Sequence, residues 1–167
     1  MDCCGSKIKT AIDAPQTASC GGCGETGRAV SRQTVAHHVK SEKLSCVSRN
    51  EYKFCSSPKC AVVYYTASGE AFTVDDVRES ITAKTEGDER LLCYCFGFTE
   101  GFARQEIAQT GASSVPAQVS QFIKEKLCSC EIRNPSGACC LGEINKTVKR
   151  LSAQTVVRAD KEEKSYV

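Results

Sequence analysis

Hydrophobic residues fall in two regimes, strand-like in the first half of the chain and helix-like in the second. "CAVVYYT" (60–66) and "EAFTV" (70–74) are β-branched and aromatic runs around Ala67-Ser68-Gly69, which predicts a β-hairpin. "TVDDVRESITAKT" follows, with Thr73 as N-cap and Val74, Val77 and Ile81 on one face, and predicts a helix. The charged stretch "KTEGDER" (84–90) interrupts the pattern and is the expected boundary between two lobes. Beyond it, Thr99 is placed to cap "EGFARQEIAQT", with Gly111 as the stop. "VPAQVSQFIKEKL" carries Pro116 in its first turn and Val119, Phe122, Ile123 and Leu127 on one face. "CLGEINKTVKRL" repeats the pattern with Leu141, Ile144, Val148 and Leu151. Residues 1–19 and 152–167 are polar, and are expected to be a flexible leader and a fraying tail. The expected class is α+β, with a small β-hairpin lobe over 20–86 followed by a helical lobe over 87–151.

Composition changes this picture mainly through sulfur: the 167 residues include 13 cysteines. The net charge is only +2, with acids and bases interspersed, so no basic stripe suits nucleic acid. The N-terminus lacks the apolar core of a secretory signal, and apolar runs such as "CAVVYY" are too short for membrane insertion. A cytoplasmic location is therefore expected. A reducing compartment disfavours disulfides, and an odd cysteine count cannot be fully paired, so the thiols read as metal or redox ligands.

"CGGC" (20–23) and "CSSPKC" (55–60) present two closely spaced pairs: Cys20, Cys23, Cys55 and Cys60. Such pairs converge readily on one tetrahedral ion, and four thiolates close a structural zinc site. Gly24 suits the tight knuckle after the first pair. His37 and His38 in "AHHV" are alternative zinc donors, although one packed and one solvated histidine is the plainer reading. Cys46 stands alone in "KLSCVSR" and reads as a small buried hydrophobe.

The remaining thiols are distributed differently. Cys93 and Cys95 in "LLCYCFGFTEG" precede a capped helix, and the next cysteines come after two predicted helices, in "CSCEIRNPSGACCLG" (128–142). Asn134-Pro135-Ser136-Gly137 would turn Cys130 back toward Cys140, which immediately precedes a helix. The spacing points to a second metal centre and leaves zinc and iron–sulfur both open. Helix N-termini behind Cys95 and Cys140 suit an anionic cofactor and tilt the choice toward a cluster.

"CYCFGFTEGFARQEI" resembles the Cys-x-Cys-helix segment of Bfd-like [2Fe–2S] domains. More closely, "CGGC", "TVAHHVK", "YKFCSSPKCAVVYY", "CYCFGFT" and "NPSGACCLG", in that order, resemble the N-terminal domain of the copper chaperone CopZ family. The resemblance implies one zinc on Cys20, Cys23, Cys55 and Cys60, and one [2Fe–2S] cluster on Cys93, Cys95, Cys130 and Cys140. Gly137 stands where the Bfd-like pattern has its third cysteine, so Cys130 substitutes from across the turn. Chaperones of this family continue into a heavy-metal-associated domain with a Met-x-Cys-x-x-Cys copper loop. The sequence contains no such motif, and the expectation is the N-terminal architecture without the copper domain.

The resulting expectation is a metal-homeostasis accessory protein that passes single electrons and reduces Cu²⁺ to Cu⁺. Its implied partners are metal ions, a separate copper carrier or copper-exporting ATPase, and an electron-donor protein. Cys3 and Cys4 in "MDCCG" are a candidate Cu⁺-capturing pair; Cys128 and Cys139 are spares beside the cluster ligands. The alternatives are a Bfd-like ferredoxin without a copper role and a two-zinc interaction module. No Ser/His/Asp or paired-carboxylate arrangement suggests a conventional enzyme, and "GGCG" is too short for a phosphate loop.

Overall fold

The hairpin expected around Ala67-Ser68-Gly69 forms, and it is the centre of a larger sheet. The structure is a computed structural model that describes residues 18–163, with side chains described through Thr155. The chain divides into two compact units. The first takes the described residues up to Thr85 together with Glu131–Ala138, and the second takes Glu86–Cys130 and the chain from Cys139 onward.

In the first unit, β1 (Arg28–Val30), β2 (Tyr52–Phe54), β3 (Val62–Thr66) and β4 (Ala71–Thr73) form an antiparallel sheet in the order β1-β2-β3-β4. Gly69, at φ +90°, supplies the left-handed residue that the β3–β4 turn requires. The ladder shifts register between Val62 and Tyr64. Adjacent residues Val63 and Tyr64 consequently both enter the main core, whereas Val62 and Tyr65 pack around Cys20, Cys55 and Cys60. Helix α1 (Arg32–His38), capped by the Ser31 side chain on the Thr34 N–H, buries Val35 in that core together with Val39, Tyr52, Phe54 and Phe72.

The helix expected over 73–85 does not form. The Thr73–Asp76 capping box is present, but it closes only a 3₁₀ turn, Val74–Asp76. Val77 is extended (φ −105°, ψ 154°) and bridges Val39, with Lys40 N–H bonded to Asp76 C=O and Arg78 N–H to His38 C=O. Valine, aspartate, serine and threonine are weak helix formers, so sheet-like pairing prevails here. Val77 and Ile81 are buried as expected, but Val74 is exposed.

Glu131–Ala138 is held by side chains of the first unit. The Thr34 hydroxyl donates to Glu131 C=O (2.7 Å), His38 Nε2 to Ile132 C=O (3.2 Å), and the buried Tyr64 hydroxyl to Pro135 C=O (3.0 Å). The predicted turn is real: Asn134 Oδ1 accepts from the Ser136 N–H and hydroxyl, and Gly137, at φ +63°, bonds back to Asn134 C=O.

His38 is neutral in this setting. Burial lowers its pKa to about 4, and the partly exposed Glu79 carboxylate, 3.6 Å from Nδ1, does not offset that cost. Because the folded value lies below the unfolded one, stability is fully present above about pH 6.5 and is lost as pH falls toward 4. The His38 ring resonance is expected to stay unmoved between about pH 7.5 and 5.5, where a solvated imidazole titrates. An NMR midpoint near the solvated value would contradict this placement.

The second unit contains a short antiparallel pair, β5 (Leu91–Cys93) and β6 (Phe98–Thr99), followed by α2 (Glu100–Thr110) and α3 (Val115–Lys124). A single turn α4 begins at Cys130 (Cys130–Arg133), and α5 spans Leu141–Glu163. Thr99 caps α2 through the Phe102 N–H, and Gly111 ends it in the left-handed region (φ 82°), as expected. Leu92, Ala103, Ile107, Val115, Val119, Ile144 and Leu151 build the core. Leu127 falls beyond the end of α3 and is 58% exposed, so it is not part of the predicted apolar face. Helix α5 continues past Leu151, through the Ala-, Gln-, Lys- and Glu-containing stretch expected to fray.

Candidate metal centres

The first set of thiols is assembled from two loops at one end of the sheet. Cys20 opens a turn closed by Gly24 N–H on Cys20 C=O (2.7 Å), with Gly24 at φ +78°, the knuckle expected from the sequence. Gly22 is required for a different reason: a Cβ there would lie 2.9 Å from Cys60 Sγ and 3.1 Å from a Val62 methyl. Tyr65 locks the turn to β3, its hydroxyl accepting from Gly27 N–H (2.6 Å) and donating to Ala18 C=O (3.1 Å).

Cys20 and Cys60 sulfurs are 3.8 Å apart, Cys23 and Cys55 sulfurs 3.6 Å, and all four lie within 4.8 Å of one another. A tetrahedral ion with sulfurs at about 2.3 Å needs S···S separations of about 3.8 Å, so this donor set fits zinc. Cys20, Cys55 and Cys60 are buried and Cys23 is exposed. Burial pushes the Cys55 thiol up to about 12 and raises Cys60, whereas the Glu25 N–H brings Cys23 down to about 7. Buried thiolates are therefore unfavourable on their own, and a dication among them offsets that cost. Neither histidine belongs to this group of ligand atoms: His38 is committed to Ile132, and Cys46 packs against the main core.

The second set comes from β5, the turn after it, the start of α4 and the residue before α5. Cys140 donates to Cys93 at 3.5 Å, and the Cys95 and Cys130 sulfurs are 3.9 Å apart. The Cys140 hydrogen bond, with lesser help from the Phe96 and Cys95 N–H groups, lowers Cys93 to about 6. The same bond raises Cys140, and burial pushes Cys130 up to about 12. Among the described residues, the first set is the one group of three or more side chains placed to hold a metal ion; the second set brings two sulfur pairs close, and Cys130 also acts on Cys140. Cys128 packs partly buried against the core of this unit, and Cys139 is exposed. Cys3 and Cys4 lie outside the described residues.

Two groups around these sites escape the sequence reading. Glu100 is buried and accepts from Arg90, Arg104 and Arg150. It occupies a first-turn position where acids are common, so nothing in the local pattern separates it from a solvated residue. Lys84, read as the start of a charged linker, lies against the Cys55–Cys60 loop instead.

A four-thiol site at the edge of a small antiparallel sheet defines a zinc-binding domain, and residues 17–78 match the family model zf_CopZ, a zinc-binding domain. The fold as a whole is α+β and is similar to the crystal structure of the Archaeoglobus fulgidus CopZ N-terminal domain. That match has 26% identity and a TM-score of 0.64, covering 77% of this chain and 96% of the other. Among the curated proteins, none matches the chain. Among the described residues, no helix is long and apolar enough to cross a membrane.

Proposed function

We propose that the protein is a metal-homeostasis accessory protein of the CopZ type. It holds one zinc on Cys20, Cys23, Cys55 and Cys60, and one [2Fe–2S] cluster on Cys93, Cys95, Cys130 and Cys140. The observation that carries the cluster is the pairing of the second set: Cys93 with Cys140 at 3.5 Å and Cys95 with Cys130 at 3.9 Å. Two irons require one close pair of sulfurs each, and both pairs are present in the second set. The resemblance of "CYCFGFT" and "NPSGACCLG" to the CopZ family implies the same assignment, and the fold is similar to that of the CopZ N-terminal domain.

When bound, the cluster supplies single electrons. The chain's part is to bury Cys93, Cys130 and Cys140 and to leave Cys95 partly accessible. N–H groups of Phe96 and Cys95 aimed at Cys93 stabilise its thiolate. The substrate in this reading is Cu²⁺, which takes up one electron to become Cu⁺ and passes to a separate thiolate carrier; soft Cu⁺ is the state that thiolates select.

Anaerobically purified protein is expected to be coloured, with one zinc, two irons and two sulfides per chain. Prereduced protein should convert added Cu²⁺ to Cu⁺, one per cluster, with matching recovery of the oxidised cluster's absorbance. Cys128→Ser and Cys139→Ser should retain the chromophore, whereas Cys130→Ser and Cys140→Ser should lose it. Two zincs without iron would refute the cluster, and a prereduced cluster that yields no Cu⁺ from added Cu²⁺ would refute the copper role.

A further inference from the structure

The zinc site is bordered by a cation. Lys84 Nζ lies 2.8 Å from Ser57 C=O, 2.8 Å from Cys60 C=O and 4.0 Å from Cys55 Sγ. These three acceptors match the three protons of an ammonium group. The lysine is held in place: its own N–H bonds to Ile81 C=O (2.8 Å), and Ile81 is buried in the core of the first unit. The side chain therefore spans the Cys55–Cys60 loop and brings its charge to one particular sulfur.

That placement has a chemical consequence. Zinc with four thiolates carries a formal charge of about −2, and its sulfurs remain nucleophilic to the extent that their lone pairs are not engaged elsewhere. Among the described residues, the lysine ammonium recorded against these sulfurs is that of Lys84, and the sulfur it faces is Cys55. Charge-assisted contacts are stronger than neutral ones, so they withdraw more electron density from the sulfur.

We propose that Lys84 is a positioning residue of the zinc site that fixes the Cys55–Cys60 loop and suppresses the reactivity of the Cys55 sulfur toward electrophiles. The inference rests on the zinc reading of Cys20, Cys23, Cys55 and Cys60. Lys84 thereby protects the ligand from covalent capture without being a ligand. Attack by this sulfur on a maleimide forms an S–C bond at one alkene carbon, the other carbon takes a proton from water, and the Zn–S bond breaks.

The test uses the zinc-loaded full chain with excess N-ethylmaleimide. Zinc release is followed with a chromogenic chelator, and peptide mass spectrometry gives the order of cysteine modification. Lys84→Met is expected to release zinc roughly tenfold faster, with Cys55 moving from a late to an early modified position; Lys84→Arg should stay within about threefold of the wild type. If Lys84→Met does not fold, Lys84→Gln, which keeps a donor for the carbonyls without the charge, should show the same acceleration. A neutral variant within twofold of the wild type and with unchanged order overturns the proposal, as does Lys84→Arg releasing zinc as fast as the neutral variants. Wild-type protein that carries no zinc at the outset overturns the zinc reading itself.

Discussion

Cys60→Ser is expected to unfold the first unit, with zinc affinity falling by at least about three orders of magnitude. Cys20, Cys55, Cys60 and Tyr65 form a buried cluster of their own, separate from the main core of the unit, with Val62 and Ala18 packed against it. Three of the four members of that cluster are thiols, and burial disfavours the charged form of Cys55 and Cys60. Apolar contact is thin there, and structural zinc sites of this type supply roughly 10–16 kcal/mol of apparent binding free energy to folding. A serine leaves three ligands and a buried hydroxyl with little to bond to. Zinc content, chelator competition and dispersion of amide resonances measure the outcome. A Cys60→Ser protein that keeps one zinc and native dispersion would show that the four thiols do not act together. A strong chelator added to the wild type should reproduce the variant's spectrum.

The second large effect is expected at Glu100. The residue is 3% exposed, and its carboxylate accepts from Arg90 Nη1 (3.2 Å), Arg104 Nη2 (2.9 Å) and Arg150 Nη2 (2.8 Å). Arg90, itself largely buried, continues to Glu143 (2.6 Å) and Thr147 (3.2 Å), tying the first turn of α2 to α5. Glu100→Gln preserves shape but leaves these guanidinium groups without their central counter-charge. Breaking such a buried arrangement costs about 3–5 kcal/mol; because Arg104 and Arg150 are partly exposed, water screens part of the loss and the lower end, about 3 kcal/mol, is expected. Urea denaturation of the full chain should show the second unit's transition moving to lower denaturant. A shift below about 0.5 kcal/mol would mean that the network is solvated rather than structural.

The helical half was legible because its signals are local. Thr99 and Gly111 bound α2 where capping chemistry places them, and Ile144 and Leu151 are buried at the spacing of one helical face. The first half was legible only in part. The Ala67-Ser68-Gly69 hairpin is local, whereas β1 and β2 are short strands whose pairing depends on residues far along the chain. The 73–85 stretch misled because its apolar spacing fits a helix, although Val77 pairs with Val39, a partner no local window contains. The Cys20, Cys23, Cys55 and Cys60 set was readable from its paired spacing. Lys84 was not: its role depends on two carbonyls, which leave no trace in sequence.

The placement of Glu131–Ala138 also constrains how the protein can be made. Neither unit is a continuous stretch of chain, so no single cut between Thr85 and Glu86 yields two complete pieces. A fragment ending at Thr85 would leave the hydroxyls of Thr34 and Tyr64 and the ring of His38 without the carbonyls they bond in the full chain. During synthesis, the first unit cannot be completed until residue 138 has emerged, by which time β5 through α3 are already outside the ribosome. The order of residues along the chain thus delays closure of the earlier unit until most of the later one exists.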